Sequence, residues 1–399
     1  MLDPTSLARR AASLSPAGAA FEPPGTISFG SGDAFPGLLP DMVAAAGRAL
    51  SAHRTETLQY APRLGLPDCR AWVARLLARE GVLVPPEEVM IVNGAKNGLD
   101  LLCRLLLDEG DAIVVTAPTY FTALPMFRTY RVDFIEVPQD GEGMDVAALA
   151  DALAHRRRAG LKPPKFVYDV PDFHNPTGVT MSGPRRAALV DLAVREGMWL
   201  IEDSPYRSIR FSGESPAPLK AFGSDGGVFA LGTVAKLLAP GLRIGWIVGP
   251  REMLARMAQL KSDGGTSPLA QRLILEFCAA GGLEAQVERA RATYRRHRDV
   301  MSAALRREIP DARFVEPEGG YYVWLTLPPG EDGDAVAAAA LAEGVSVLAG
   351  SKFFARAGNS GNAAAPGNHI RLAYSFAGPE EIEEGVKRLA RALARRRRY

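Results

Sequence analysis

Apolar positions along the chain fall into short, nearly unbroken runs separated by longer stretches of helical period. Val89–Val92, Ala112–Thr116, Phe166–Val170, Met198–Ile201, Val228–Gly232 and Ile244–Val248 are too short for helices. They show little polar alternation, the pattern of strands covered on both faces. Val132–Val137 reads as one more extended segment. Pro67–Glu80, Gly98–Leu107, Tyr120–Tyr130, Asp145–Arg158 and Pro184–Glu196 lie between them and read as helices. In the first, Leu66, Cys69, Val73 and Leu77 fall near one face. Strands alternating with helices predict an α/β unit with a mostly parallel sheet, placed over residues 45–285.

Beyond Ser267 and Pro268 the texture changes. Leu269–Glu308 is helical in pattern, with a break at Gly281 and Gly282. A strand at Tyr321–Leu327, a helix at Val336–Glu343, strands near Val345 and Ile370–Tyr374, and a last helix from Pro379 follow. This predicts a smaller α+β unit over residues 286–399, joined by part of a Pro/Gly/Ser-rich arm, residues 1–44. Gly358–Gly367 reads as a polar loop.

Composition narrows the function. Apolar residues are 47% of 399, which excludes a wholly disordered chain. A net charge of +2 gives no reason to expect a nucleic-acid partner. The arginines at 395–398 read as the solvated end of a helix, where cations are favoured. Cys69, Cys103 and Cys278 are far apart and form neither a metal-binding pair nor a disulfide scaffold. No apolar leader follows Arg9 and Arg10, and no apolar run is long enough to cross a membrane. The expectation is a cytoplasmic protein with no membrane partner and no metal.

Candidate chemistry gathers after the strands, where open α/β sheets bind ligands. Asn93, Gly94, Ala95 and Lys96 follow one strand and open a helix, where small residues let an anion reach free N–H groups. Asn175-Pro176-Thr177-Gly178, Asp203 with Tyr206, and Thr233 with Lys236 follow three others. Lysine is scarce, with eight in the chain. Lys236, emerging from an apolar strand, suits attack on an aldehyde or simple snorkelling from a strand edge. Taken one at a time, such residues are as readily turn, cap or surface groups.

In combination and order, these segments resemble the class I/II aminotransferases, pyridoxal-phosphate enzymes of fold type I. The resemblance runs from Leu58-Gln59-Tyr60-Ala61-Pro62 through Ala117-Pro118-Thr119-Tyr120, Phe173-His174-Asn175-Pro176-Thr177-Gly178 and Glu202-Asp203-Ser204-Pro205-Tyr206. It continues through Gly232-Thr233-Val234-Ala235-Lys236 and Arg243 to Gly319-Gly320-Tyr321-Tyr322-Val323-Trp324 and Ile370-Arg371-Leu372. The nearest flavour is the subgroup of aminoadipate aminotransferases and aminotransferase-like regulators. The resemblance implies a large, mainly parallel seven-stranded α/β/α domain and a smaller α+β domain. It implies pyridoxal 5′-phosphate, an amino acid and a 2-oxo acid as small-molecule partners, with glutamate and 2-oxoglutarate plausible as one pair. A homodimer with shared active sites is implied as well.

The resemblance also implies roles. Lys236 would hold the cofactor aldehyde and later move the substrate Cα proton, and Asp203 would pair with the pyridine nitrogen. Tyr120 would stack on the ring and complete the catalytic group. Asn175 and Tyr206 would bond the phenolic oxygen. Gly94, Ala95, Lys96, Thr233 and Arg243 would hold the phosphate, with Tyr60 from a neighbouring subunit. Arg371 would clamp the substrate carboxylate, with Asn175 and Gly32 beside it. Phe21, Phe29, Phe35, Tyr60, Tyr321 and Phe353 are candidate walls of the side-chain pocket. Ala235, Ala95, Lys96, His174 and Asp33 depart from the family pattern. Elimination, replacement or decarboxylation on an amino acid is the alternative chemistry, and a non-catalytic effector-binding module is a further one.

Overall fold

The computed structural model describes residues 8–12, 22–223, 227–355 and 367–396. Its strands in chain order are β1 (Ile27–Ser28), β2 (Val89–Val92), β3 (Ala112–Ala117), β4 (Asp133–Asp140) and β5 (Gly143–Met144). Then come β6 (Pro164–Asp169), β7 (Trp199–Asp203), β8 (Val228–Thr233) and β9 (Gly245–Val248). The last four are β10 (Tyr322–Thr326), β11 (Val345–Ser346), β12 (Leu348–Ala349) and β13 (His369–Ala373).

The large sheet has the order β2-β9-β8-β7-β6-β3-β4-β5. Strands β4, β3, β6, β7 and β8 run parallel. The expected seven strands are present, and the two-residue β5 adds an eighth by folding back antiparallel on β4. β9 also runs antiparallel, to both β8 and β2. Its direction follows from the connection before it: between β8 and β9 there is only the 3₁₀ turn Pro240–Leu242, not the crossover helix a parallel return needs. All residues of β2, β8 and β9 are buried, as the continuous apolar runs require.

Helix ends follow local chemistry. Asp145 accepts from the N–H groups of Ala147 and Ala148 and opens the helix Val146–Arg158. Ser182 does the same for Gly183–Glu196, and Ser267 for Pro268–Ala279. Gly281, at φ +75°, makes the expected break before the long helix Gly282–Glu308. The helix Arg251–Leu260 was not expected, although Leu254, Met257 and Ala258 bury one face at helical spacing. The helix after β2 begins at Ala95, earlier than the apolar period suggests, because Gly94 precedes it at φ +86°.

A second sheet, β10-β13-β12, is antiparallel. β1 pairs in parallel with β11, so the opening segment joins the chain's last third. Phe29 is fully buried, and a Cβ on Gly385 would lie 2.4 Å from its ring, so Phe29 is a core residue and not a pocket wall. Phe21, most of the Gly358–Gly367 loop, and Arg397 and Arg398 lie outside the described residues.

Candidate active site

Parallel register brings the chemistry together. Asp169 at the end of β6 faces Glu202, and Asp203 at the end of β7 faces Leu231 on β8. Asn175 follows β6 and Lys236 follows β8, with β7 and its Asp203 between them, so residues about 60 apart in sequence leave the same end of the parallel strands.

Lys236 Nζ donates to the carbonyl of Gly32 at 2.6 Å. It stands 5.3 Å from the ring centre of Tyr321 and 6.0 Å from that of Tyr206. The Tyr321 hydroxyl donates to the Lys236 carbonyl at 2.9 Å and fixes the backbone there. Gly32 has no room for a side chain: a Cβ would lie 2.1 Å from the Tyr322 hydroxyl.

Asp203 is buried and its Oδ2 accepts from the Tyr168 hydroxyl at 2.9 Å. Burial pushes its carboxyl up to about 6, against the Tyr168 hydrogen bond and the Lys236 charge, which both pull it down. Burial also pushes the Tyr120 phenol up to about 12. Tyr120 occupies the turn before the helix Ala123–Thr129, edge-on to Phe121.

Arg371, in β13, is 1% exposed. Its Nη1 donates to Asn175 Oδ1 at 3.1 Å and its Nη2 to the Gly30 carbonyl at 2.5 Å. Phe121, Phe353 and Tyr322 surround the guanidinium, with Tyr322 closest at 4.2 Å to its ring centre. Burial lowers its pKa, and the tyrosines around it oppose that. No carboxylate of the described residues pairs with it. Of the other expected walls, Phe353 and Tyr321 stand at this site, whereas Phe35 packs edge-on against His297.

At the other end, Arg243 reaches over the start of the helix Ala95–Leu106. Its Nη2 donates to the Asn93 carbonyl at 3.2 Å, and a Cβ on Gly94 would lie 2.8 Å from that nitrogen. The helix therefore presents N–H groups beneath a guanidinium, an anion cradle. Lys96 is exposed beside it as a residue, yet partial burial of its amine lowers its pKa against the opposing pull of Asp100. The Thr233 hydroxyl proton is committed to the Ile244 carbonyl at 2.9 Å, and its oxygen accepts from the Ala235 N–H at 3.1 Å. Tyr60 is 88% exposed on the single chain, against the backbone near Gly264.

The His174 departure is internal. Its Nδ1 lies 3.3 Å from Gln139 Nε2 and 3.1 Å from Thr177 Oγ1, and its Nε2 is 3.7 Å from Asp169 Oδ1. Burial drives its pKa down to about 3, so at neutral pH it is an uncharged support for the turn that carries Asn175. Asp33 accepts from the Ser31 hydroxyl at 2.5 Å, and its own carbonyl accepts from Ser375 at 2.7 Å. Sequence reasoning missed Tyr168 and Tyr322 as site residues. Tyr168 offered only an aromatic inside an apolar strand, which ordinarily means core, and Tyr322 lay within the Gly319–Trp324 segment of the resemblance with no role attached to it.

Several deeply buried atoms here have no hydrogen-bond partner among the described residues; Asp203 Oδ1, Asn175 Nδ2 and Arg371 Nε belong to the groups expected to meet cofactor and substrate, and His174 Nε2, Thr119 Oγ1 and Thr122 Oγ1 lie in the neighbouring turns. Such atoms are costly unless a ligand engages them. An acceptor, a donor and a cation around a lysine amine, with the anion cradle beside them, fit pyridoxal phosphate and an amino-acid carboxylate.

The family model "Aminotransferase class I and II" matches residues 24–389, and the chain belongs to that family. It is a pyridoxal-phosphate-dependent aminotransferase of fold type I, moving an amino group between an amino acid and an oxo acid. It is 37% identical to the 2-aminoadipate transaminase of Thermus thermophilus, over 93% of this chain and 90% of that one. It is 36% identical to aromatic-amino-acid aminotransferase 1 of Thermococcus litoralis, over 86% and 82%. The kynurenine aminotransferase structure from Pyrococcus horikoshii superposes with a TM-score of 0.92 at 32% identity, over 98% of both chains.

Proposed function

We propose that the enzyme exchanges an amino group between an L-amino acid and a 2-oxo acid, with L-glutamate and 2-oxoglutarate as one pair. Lys236 holds the cofactor, Asp203 receives its ring nitrogen, and Asn175 and Tyr206 its phenolic oxygen. Tyr120 covers the ring. Arg243 and the N–H groups after Gly94 take the phosphate, with Lys96 adding charge and Thr233 shaping the turn. Arg371, with Asn175 and Gly32 beside it, takes the substrate carboxylate. The observation that carries this reading is the trio of unpartnered buried atoms, Asp203 Oδ1, Asn175 Nδ2 and Arg371 Nε, around the Lys236 amine.

Bound pyridoxal phosphate supplies an aldehyde and a protonated ring that draws electrons from the substrate Cα. The remaining work is the protein's. Asp203, as a carboxylate, keeps a proton on the ring nitrogen, and Tyr168 holds its second oxygen so that Oδ1 is the one presented. Arg371 orients the substrate by two parallel hydrogen bonds to its carboxylate. The Lys236 amine, once released, would take the proton from the substrate Cα and deliver it across the substrate's nitrogen to the carbon of the cofactor's former aldehyde. The Tyr321 and Tyr206 rings flank that amine and keep bulk water from it.

The working unit in this proposal is a homodimer in which Tyr60 of one chain serves the phosphate of the other. Leu39, Val43, Leu50, Leu58 and Tyr60 all lie exposed within one short stretch, apolar surface suited to a second copy. We further propose a division into an arm at residues 1–44, a large domain at 45–285 and a small domain at 286–399. Three free thiols, Cys69, Cys103 and Cys278, suit a reducing compartment, and we place the enzyme in the cytoplasm. Among the described residues no helix is long and apolar enough to cross a membrane.

The test is an absorbance spectrum of the loaded enzyme before and after L-glutamate alone. Conversion of the cofactor to its aminated form, reversed by 2-oxoglutarate, is the expected result. An unchanged spectrum removes glutamate as donor.

A further inference from the structure

We propose that Tyr322 is a positioning residue that joins the two halves of the site: its hydroxyl strengthens Tyr206 as a hydrogen-bond donor, and its ring supports Arg371. The inference rests on the proposed role of Tyr206 at the cofactor's phenolic oxygen and deepens it.

Tyr322 begins β10 and is 3% exposed, which would ordinarily mark a core aromatic. Three contacts argue otherwise. Its hydroxyl lies 3.0 Å from that of Tyr206, with the rings edge-to-face. The Arg371 guanidinium sits 4.2 Å from its ring centre, closer than to Phe121 or Phe353 at 5.4 Å each. The same hydroxyl fills the space a Cβ on Gly32 would need, beneath the carbonyl that holds Lys236 Nζ. One side chain thus touches the groups proposed for cofactor, substrate and lysine.

The proton order follows from the donor roles. If Tyr206 O–H donates to the cofactor oxygen, its own oxygen is left to accept, and the Tyr322 O–H is the donor beside it. A donor chain of this kind polarises each link, strengthening a bond by roughly 10–30%. Stronger donation from Tyr206 stabilises negative charge on the cofactor's phenolic oxygen. That oxygen then holds the proton on the Lys236 nitrogen less tightly, and the cofactor-bound lysine loses its proton at lower pH. The ring acts separately: its face replaces part of the solvation that burial removes from Arg371, whose polar partners among the described residues are Asn175 and a backbone carbonyl.

The two contributions separate in two variants. Tyr322→Phe removes the hydroxyl and keeps the ring; Tyr322→Leu removes both. The primary measurement is a pH titration of the absorbance of the Lys236-bound cofactor in wild type, Tyr322→Phe and Tyr206→Phe. Tyr206→Phe should raise the midpoint most, and Tyr322→Phe should raise it by about 0.2–0.6 of a pH unit with KM for the amino donor unchanged. Tyr322→Leu should add a rise in that KM of about 3- to 30-fold. A shift in Tyr206→Phe with none in Tyr322→Phe overturns the proposal while leaving the Tyr206 role standing. No shift in Tyr206→Phe removes that role and the proposal with it. If Tyr322→Leu does not fold, the Phe variant alone decides the hydroxyl's part.

Discussion

Two clusters of buried charge sit around the ends of the same strands, β6 and β7, and they are built on opposite principles. In the first, Arg186 is fully buried and every N–H is used: on Asp172, on the Met181, Pro171 and Ala217 carbonyls, with Glu202 at 3.9 Å. Arg207 meets the same Asp172, Glu80 and the Pro216 carbonyl, and Glu202 accepts from the Leu219 and Lys220 N–H groups. In the second, Arg371 is as deeply buried but, among the described residues, has no carboxylate partner, and Asp203 leaves one oxygen bare. The first cluster is complete within the chain. The second is complete only with a ligand, because a buried charge without a counter-charge is unfavourable in isolation. Saturation marks structure here, and incompleteness marks function.

The sharpest break would come at Lys236. Lys236→Ala should lower turnover by about 10³-fold or more while the protein still folds, read by steady-state assays beside a melting curve. Arg186→Leu should do the reverse. It strands Asp172 with Arg207 alone and should cost about 3–5 kcal/mol in denaturant unfolding. Arg371→Leu should lower kcat/KM for every amino donor by about 10²–10³-fold, with unfolding stability of the cofactor-free enzyme unchanged or raised. If Arg371→Leu destabilises as Arg186→Leu does, the contrast between the clusters is lost.

A pH series sharpens the comparison. The Asp203 carboxyl titrates at about 6 in the folded chain, above its ordinary 3.8. The folded state therefore binds more protons between those values, and the group's contribution to stability falls as pH rises from about 4 to 6. Relative to Asp203→Asn, the cofactor-free wild type should lose about 1–3 kcal/mol across that window. The smallest effect is expected at Lys96. Lys96→Ala should weaken binding of pyridoxal phosphate only about 2- to 5-fold, since the residue lies exposed at the protein surface, and unchanged affinity would remove it from the phosphate site.

The strands β2, β3, β6, β7 and β8 were legible because each is a short apolar run whose burial needs no knowledge of its neighbours. Lys236, Asp203, Asn175 and Arg371 were legible as an ordered set of motifs, and the fold gathers all four. Tyr168 lay outside those motifs and Tyr322 inside one without a role, since an aromatic in a buried strand gives the same signal whether its hydroxyl is idle or engaged. The turn position of Tyr120 and the core position of Phe29 were not legible either.

By itself the sequence determined the alternation of elements, the family and the residues that carry its chemistry, because period and motif are properties of neighbours along the chain. The tertiary structure alone decided which hydroxyl meets which carboxylate, and that Arg371 is left without a counter-charge among the described residues. Tyr168 and Asp203 are 35 residues apart, Tyr206 and Tyr322 are 116, and Asn175 and Arg371 are 196. Contacts over such separations are set by strand register and packing, which no local pattern encodes.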